Sequence, residues 1–293
     1  MRNPYEMGGG FWVRANFHTH TQLPDLYGGK GVPAQEVVSA YERAGYDWLC
    51  LSNHDRETDL SGLRTQTIRL LPGIEFSHLK HMLLLGVGAP VPEGNHQQVI
   101  DAVALRGGVS VICHPHWAGE DYWPWNELNA LGGFDAMEIY DGYIYRDMDG
   151  GSGLATDVWD RLMCEGKFVC GIGSDDFHDY IDMGRVYNLL YVKDNSQEAL
   201  LEAIRERRVC VSTGLEPAAI TNEEGMLRVK VRYARPHFRQ EFTYRFYADG
   251  ELVSTQYGEE GAFRFEEGQY RYVRAEAEGE NGAKIFLQPM ISQ

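Results

Sequence analysis

Nine of the ten histidines in this 293-residue sequence lie at or before position 178, in short groups that alternate with carboxylates. His18-Thr19-His20 comes first, followed by Asp25, Asn53-His54-Asp55 and Glu75 in Gly73-Ile74-Glu75. His81, His114-Pro115-His116 and Gly173-Ser174-Asp175-Asp176-Phe177-His178 complete the series. Neutral imidazoles and ionised carboxylates are the donors with which proteins hold divalent transition-metal ions. Residues i and i+2 of a strand share a face, so His18 and His20 can grip one ion. Any one of these groups is weak: Asp25, beside Pro24 and before Gly28-Gly29, would by itself read as a turn former. Glu75 carries more information, because a carboxylate inside an apolar strand is costly unless it is paired or metal-bound. His78 and His116 rival His81 and His114. His81 is favoured because it leads an apolar run, and His114 because it opens the His-Pro pair.

The elements that must position these groups follow from hydrophobic periodicity. Strands are expected at Trp12–His18, Trp48–Ser52, Leu70–Phe76, Met82–Val87, Val109–Cys113, Ala136–Tyr140 and Phe168–Ile172. Helices are expected at Pro33–Ala44, His96–Arg106, Leu154–Glu165 and Gln197–Arg207, with Gly45, Gly107 and Gly166 closing the first three. Most of the chemical groups then sit at strand ends, which is where α/β folds build active sites. Repeated β-then-α units argue for an α/β fold with a mostly parallel sheet. A barrel and a doubly wound sheet both satisfy that pattern.

The pattern changes after residue 214. Leu227–Tyr233, Phe242–Ala248 and Tyr270–Ala277 alternate with period two, and Asn281-Gly282 is a hairpin signal. Residues 1–214 are therefore read as one domain and 215–293 as a small all-β, sandwich-like domain, in keeping with about 150 residues per domain. Lys and Arg number 27 against 43 Asp and Glu, a formal net charge of −16. No basic run offers to neutralise a phosphate polymer, which disfavours DNA or RNA as a partner. The first residues lack a signal-peptide pattern, and no apolar run reaches membrane-spanning length. Five unpaired-looking cysteines complete a reading as a cytoplasmic protein, with homo-oligomerisation left open.

Taken in order, His18/His20, Asp25, His54, Glu75, His81, His114-Pro115 and Asp175/His178 resemble the polymerase-and-histidinol-phosphatase (PHP) superfamily over about residues 15 to 215. Met137–Tyr140, Val158–Leu162, Ser174–His178 and Ser212-Thr213-Gly214 look like its CehA/McbA-like branch. The resemblance implies a distorted (β/α)7 barrel with two to three divalent ions (Mn, Zn or Fe) in its mouth. It implies one ion on His18, His20, Glu75 and Asp175, a second on Glu75, His81 and His114, and a third on Asp25, His54 and His178. Two departures stand out: Asn53 replaces the usual Asp, and His178 follows Asp175 by three positions.

The expected activity is hydrolysis of a small anionic substrate, a phosphate ester, by a water that the ions acidify. His116 or Asp176 is the expected general acid, from nearness in sequence. A carbamate, ester or amide hydrolase and a non-catalytic metal-binding module are the alternatives. Arg146, Arg185 and Lys167 are the basic residues within reach of the mouth in sequence. Trp117, Trp123, Trp125, Tyr140, Tyr143 and Tyr145 are the aromatic ones.

Overall fold

The computed structural model describes residues 1–22, 31–88, 92–119, 122–147 and 151–292. In chain order the first part contains β1 (Phe11–Asn16), α1 (Ala34–Arg43), β2 (Trp48–Cys50), β3 (Arg69–Leu71), β4 (Gly73–Phe76), β5 (Met82–Leu85), α2 (His96–Leu105) and β6 (Val109–Ile112). It continues with α3 (Trp125–Ala130), β7 (Ala136–Asp141), α4 (Gly142–Asp147), α5 (Thr156–Cys164), β8 (Cys170–Ser174), β9 (Tyr187–Val192), α6 (Gln197–Arg205) and β10 (Val209–Ser212). The remainder is all strand: β11 (Leu215–Glu223), β12 (Met226–Tyr233), β13 (Phe242–Ala248), β14 (Glu251–Gly258), β15 (Glu260–Arg264), β16 (Tyr272–Gly279), β17 (Lys284–Leu287) and β18 (Met290–Ile291). The protein is mixed α/β and rich in sheet.

Local chemistry accounts for these elements. The apolar runs Met82–Leu85 and Val109–Ile112 are buried at every position, as strands covered on both faces must be. In β12 Leu227, Val229 and Val231 are buried while Arg228, Lys230 and Arg232 face water, so the period-two pattern marks a sheet with one wet face. Helix α2 starts with a capping box in which Asn95 and Gln98 each bond the other's backbone N–H. Gly45 and Gly166 follow α1 and α5 with φ of 80° and 83°, the left-handed closure that glycine takes at no steric cost.

The sheet is mixed rather than mostly parallel. Pairs β1–β2, β2–β3, β6–β7 and β7–β8 are parallel, but β4–β5, β5–β6, β1–β9 and β9–β10 are antiparallel. The short Ser77–His81 connection forces β4 and β5 into a hairpin, since only a longer crossover can join parallel neighbours. The expected strand Leu70–Phe76 is two strands. Pro72 cannot donate to a ladder, and there the chain leaves the sheet containing β2–β3 and enters the one containing β5.

One sheet of five strands has the order β4-β5-β6-β7-β8. The other runs β14-β13-β16-β17-β10-β9-β1-β2-β3, with β18 on β16, and so crosses residue 214 through β10–β17 pairing. A separate sheet, β11-β12-β15, covers its C-terminal end. Two isolated parallel bridges, Thr19↔Phe177 and His54↔Glu75, tie the β1 and β2 side to the β8 and β4 side. The Gln288 side-chain amide bonds both the N–H and the carbonyl of Gly171 in β8, at 2.9 and 2.7 Å. Among the described residues no helix is long and apolar enough to cross a membrane. All five cysteines are free.

Glu42 shows how a surface helix fixes a strand entrance. Its carboxylate accepts the N–H groups of Thr67, Ile68 and Gln66 at 2.6, 3.0 and 2.7 Å, just before β3. These bonds lower its pKa from the usual 4.5 to about 2. A depressed carboxylate pKa contributes stability above the unfolded value, and that contribution disappears as pH falls through the folded one. Glu42→Gln is therefore expected to melt below the parent protein at pH 7, with the gap closing as pH drops from about 4.5 towards 2. A constant gap across that range in thermal unfolding would refute the assignment.

Candidate metal centre

The two bridges between the sheets are also the frame of the site. The Thr19↔Phe177 bridge is extended by His20 N–H to the Phe177 carbonyl (2.8 Å) and Phe177 N–H to the His18 carbonyl (3.3 Å). His-Thr-His and Asp-Phe-His thus lie side by side as a two-strand ladder. Alternation sends Thr19 and Phe177 one way and His18, His20, Asp176 and His178 the other. At the second bridge His54 stands directly opposite Glu75. His81 precedes β5 and His114 follows β6, so neighbouring strands of the five-stranded sheet add one imidazole each.

Glu75 is the centre. Its Oε1 lies 2.9 Å from His81 Nδ1 and 3.3 Å from both His18 Nε2 and His114 Nε2. Its Oε2 lies 2.7 Å from His54 Nδ1 and 3.5 Å from His20 Nε2. The Asp176 carboxylate lies 3.2 Å from His18 Nε2 and 3.1 Å from His20 Nε2. His18, Glu75, Asp176 and His20 are all buried. Yet His18 Nε2, His20 Nε2, Glu75 Oε2 and Asp176 Oδ1 complete no hydrogen bond of good geometry among the described residues. Buried polar atoms normally find partners. Atoms that crowd one point without bonding one another are placed as ligands of a common cation are placed.

The electrostatics agree. Burial lowers the His20 pKa to about 4, so its ring is neutral near pH 7. Burial also presses on His18, but Asp176, Glu75 and Glu138 overcome it and hold the ring protonated well above its usual range. Burial opposes ionisation of Glu75 and Asp176, and the neighbouring imidazoles, His18 foremost, nonetheless keep both well below the usual carboxylate range. The cavity therefore concentrates negative charge that positive charge must balance.

The supporting contacts are specific. Glu138 accepts from His18 Nδ1 at 2.9 Å and from the His114 backbone N–H at 2.8 Å. It orients the His18 ring so that Nε2 faces Glu75. His178 Nδ1 lies 2.8 Å from the Asp176 carbonyl, which can only accept, so that nitrogen carries the proton. His114 and Asp176 sit at positive φ, 25° and 46°, where side-chain-bearing residues are strained, as is common at functional sites. Trp117 packs 5.2 Å from the rings of both His81 and His114, and Tyr143 lies 4.5 Å from His178. These walls enclose a cleft of about 140 Å³.

The structure brings together His18, His20, His54, Glu75, His81, His114 and His178 of the residues singled out in the sequence. Asp25 and the Arg146 side chain lie outside the described residues. Asp175 and Asp176 differ from expectation. Asp175 points away from the histidines and accepts from Tyr41 Oη (2.8 Å), Gly184 N–H (2.7 Å) and Val186 N–H (2.9 Å), while burial raises its pKa to about 7. Asp176 occupies the place among the imidazoles because it, and not Asp175, alternates in phase with His178. Applying to Asp-Phe-His the i, i+2 rule already used for His-Thr-His would have selected it.

His116, expected as a general acid, is held by both Asp157 oxygens at 3.0 Å and is not among the described residues lining the cleft. His78 is largely exposed, 3.7 Å from Asp55, and does not compete with His81. Lys167 bonds the carbonyls of Asn129 and Leu131, and Arg185 that of Ile181. Of the aromatic residues, Trp117 and Tyr143 line the cleft, whereas Trp125 stacks on Arg161 and Trp123 packs at a tilt against His96. Sequence reasoning missed Glu138, which in the apolar run of β7 carried the same signal as Glu75. Cys113, one of the five free cysteines, is also close to the site. Its sulfur lies within 4.8 Å of donor atoms of His18, Glu75 and His114. Burial pushes the thiol well above its usual pKa, which disfavours the thiolate a metal would need.

Asp175→Ala should cost at least about 3 kcal/mol, because Tyr41 and two backbone N–H groups lose a buried acceptor. Urea unfolding of chelator-treated protein measures this apart from any bound ion. A loss near zero would show that the latch around Asp175 is not structural.

The fold resembles the crystal structure of a two-domain protein from Bacteroides vulgatus containing a predicted PHP-like metal-dependent phosphoesterase. The TM-score is 0.56 at 15% identity, with 96% of each chain covered. A fainter likeness, TM-score 0.46 at 13% identity over 67% of this chain and 56% of the other, links it to a lesion-specific endonuclease from Pyrococcus furiosus. No protein-family profile matches the sequence, and no curated protein does. At such identities the first likeness establishes a shared fold.

Proposed function

We propose that this protein is a metal-dependent hydrolase of the PHP superfamily, acting on a small phosphate ester. One observation carries the reading: five imidazole nitrogens and the Asp176 carboxylate converge on or beside the buried Glu75 carboxylate, and His18 Nε2, His20 Nε2, Glu75 Oε2 and Asp176 Oδ1 complete no hydrogen bond of good geometry among the described residues. The barrel reading is supported by the bridges Thr19↔Phe177 and His54↔Glu75, which would close β1, β2 and β4 to β8 into a ring of seven strands. Residues 215–293 are read as a small all-β domain with a structural role, since Gln288 and β17 brace β8 and β10.

The donor set fits two or three divalent ions. His18, His20 and Asp176 form one group, His54, Glu75 and His81 a second, and His20, His54 and His178 a third, each with donor atoms within 4.8 Å of one another. His114 adds to the Glu75 group, and Asp25 joins the third on the strength of the sequence pattern. Asp176 takes the ligand role first assigned to Asp175. When bound, the ions would polarise the scissile bond and acidify a water.

The chain's own contribution is positioning. Glu138 orients His18, and such outer carboxylates strengthen and aim their imidazoles. The strained backbone at Asp176 is held by the ladder and that at His114 by the Glu138 carboxylate on its N–H, and Trp117 and Tyr143 shield the centre from bulk water. A cleft of about 140 Å³ suits a small substrate. Its described lining contains no Lys or Arg, so anion recognition would fall to the ions and imidazoles. That feature favours ester, carbamate or amide hydrolysis as a second reading.

Purified protein loaded with Mn²⁺, Zn²⁺ or Fe²⁺ should retain at least one ion per chain and release phosphate from small phosphate esters. Asp176→Asn should lose bound metal and turnover, whereas Asp175→Asn should keep its metal. The reverse order, or full metal occupancy in both, would overturn the ligand assignment. Turnover of aryl esters or carbamates with no phosphate release would transfer the reading to the second class. Glu138→Gln should weaken metal binding by about 10- to 100-fold, measured by competition with a chromogenic chelator. Unaltered affinity would remove Glu138 from the site.

A further inference from the structure

A second cleft, of about 590 Å³, opens between Arg14 of β1, the Met183–Tyr187 stretch and the segment that follows β12. It shares no lining residue with the metal centre. Its charge is unlike that of the rest of the chain. The sequence holds 43 acidic and 27 basic residues, yet the described lining contains Arg14, Arg235 and His237 and no Asp or Glu.

The two arginines are poorly compensated. Arg14 lies 4.2 Å over the Tyr187 ring and 5.7 Å from that of Tyr46. Its ion pair with Glu216 is long, 3.5 Å, and Glu216 is held more closely by Arg232 at 3.0 Å. Arg235 makes no ion pair or hydrogen bond among the described residues. The Tyr46 hydroxyl is buried and lacks a hydrogen-bond partner there too, although buried tyrosine hydroxyls usually have one. Flat surfaces complete the lining: Tyr187 beneath Arg14, and Tyr233 with His237 packed 4.2 Å from its ring. Volume, aromatic lining and a few convergent polar groups are the attributes of small-molecule sites, and planar guanidinium groups suit carboxylate and phosphate.

We propose that this cleft is a binding site for a small organic anion with a flat body. The carboxylate or phosphate lies between Arg14 and Arg235 within reach of the Tyr46 hydroxyl, and the body packs against the aromatic wall to which Tyr187, Tyr233 and His237 contribute. The site is independent of hydrolysis at the metal centre.

Calorimetric titration of the metal-loaded full chain with phenylphosphonate and with benzoate tests this, the two probes separating phosphate-like from carboxylate ligands. At least one probe should bind saturably at one site per chain in addition to any binding at the metal centre. That site should persist in Asp176→Asn and weaken at least about tenfold in Arg235→Met, which alters an exposed side chain and leaves the core intact. Tyr46→Phe should weaken it in the same direction, and methylphosphonate should bind less tightly than phenylphosphonate. The proposal is overturned by an absence of saturable binding for both probes, by unchanged affinity in Arg235→Met, or by complete loss of binding in Asp176→Asn, which would place the probe at the metal centre.

Discussion

A carboxylate removed from water sets the terms for the rest of this protein. Glu75 is about 1% exposed, and an isolated charge so placed would be costly enough to neutralise itself or unfold the strand that carries it. Five imidazoles surround it because the fold brings four strand ends to one point, those of β1, β2, β5 and β6, and Asp176 adds a second buried charge that raises the demand for cations. The same arrangement makes the centre a poor contributor to stability by itself and a strong attractor for divalent ions. Ordinary hydrogen bonds then fix parts of the frame: Glu138 behind His18, the Asp176 carbonyl behind His178, and the Tyr41 and Gly184 latch behind Asp175.

Much of the site was legible because its residues stand at element boundaries. His18/His20, His54, His81 and His114 follow or open apolar runs, Glu75 lies within one, and those runs are strands in the structure. The choice between Asp175 and Asp176 was misjudged because a fixed motif spacing was counted where strand phase decides. His116 looked catalytic through adjacency, but an Asp 41 residues away captures its ring, a long-range contact that local pattern cannot carry. Asp25 belongs to a stretch about which only the sequence speaks.

The fold was legible in its class and less so in its connections. Strands β9 and β10 escaped notice because they are short apolar runs flanking a strong helix signal. Their antiparallel insertion beside β1, together with the β4–β5 hairpin, turns an expected parallel sheet into a mixed one. Pro72 shows the same limit on a smaller scale, since an uninterrupted hydrophobic stretch does not reveal that the chain changes sheets at its middle. Fold and chemistry also rest on separate supports. The likeness to the Bacteroides vulgatus protein establishes architecture at 15% identity, while the functional reading stands on the donor atoms themselves.

The continuity of the large sheet across residue 214 bears on how the chain can be divided. Strand β10 is flanked by β9 on one side and β17 on the other, with Val211 opposite Phe286. Tyr5 fastens this seam, its hydroxyl meeting the Val209 carbonyl and the Gln288 N–H. A fragment ending near residue 214 would expose a row of unpaired backbone amides and carbonyls along β10, bordered by an uncovered apolar face. Naked strand edges of this kind recruit one another, so truncation there would trade an intramolecular ladder for self-association and insolubility.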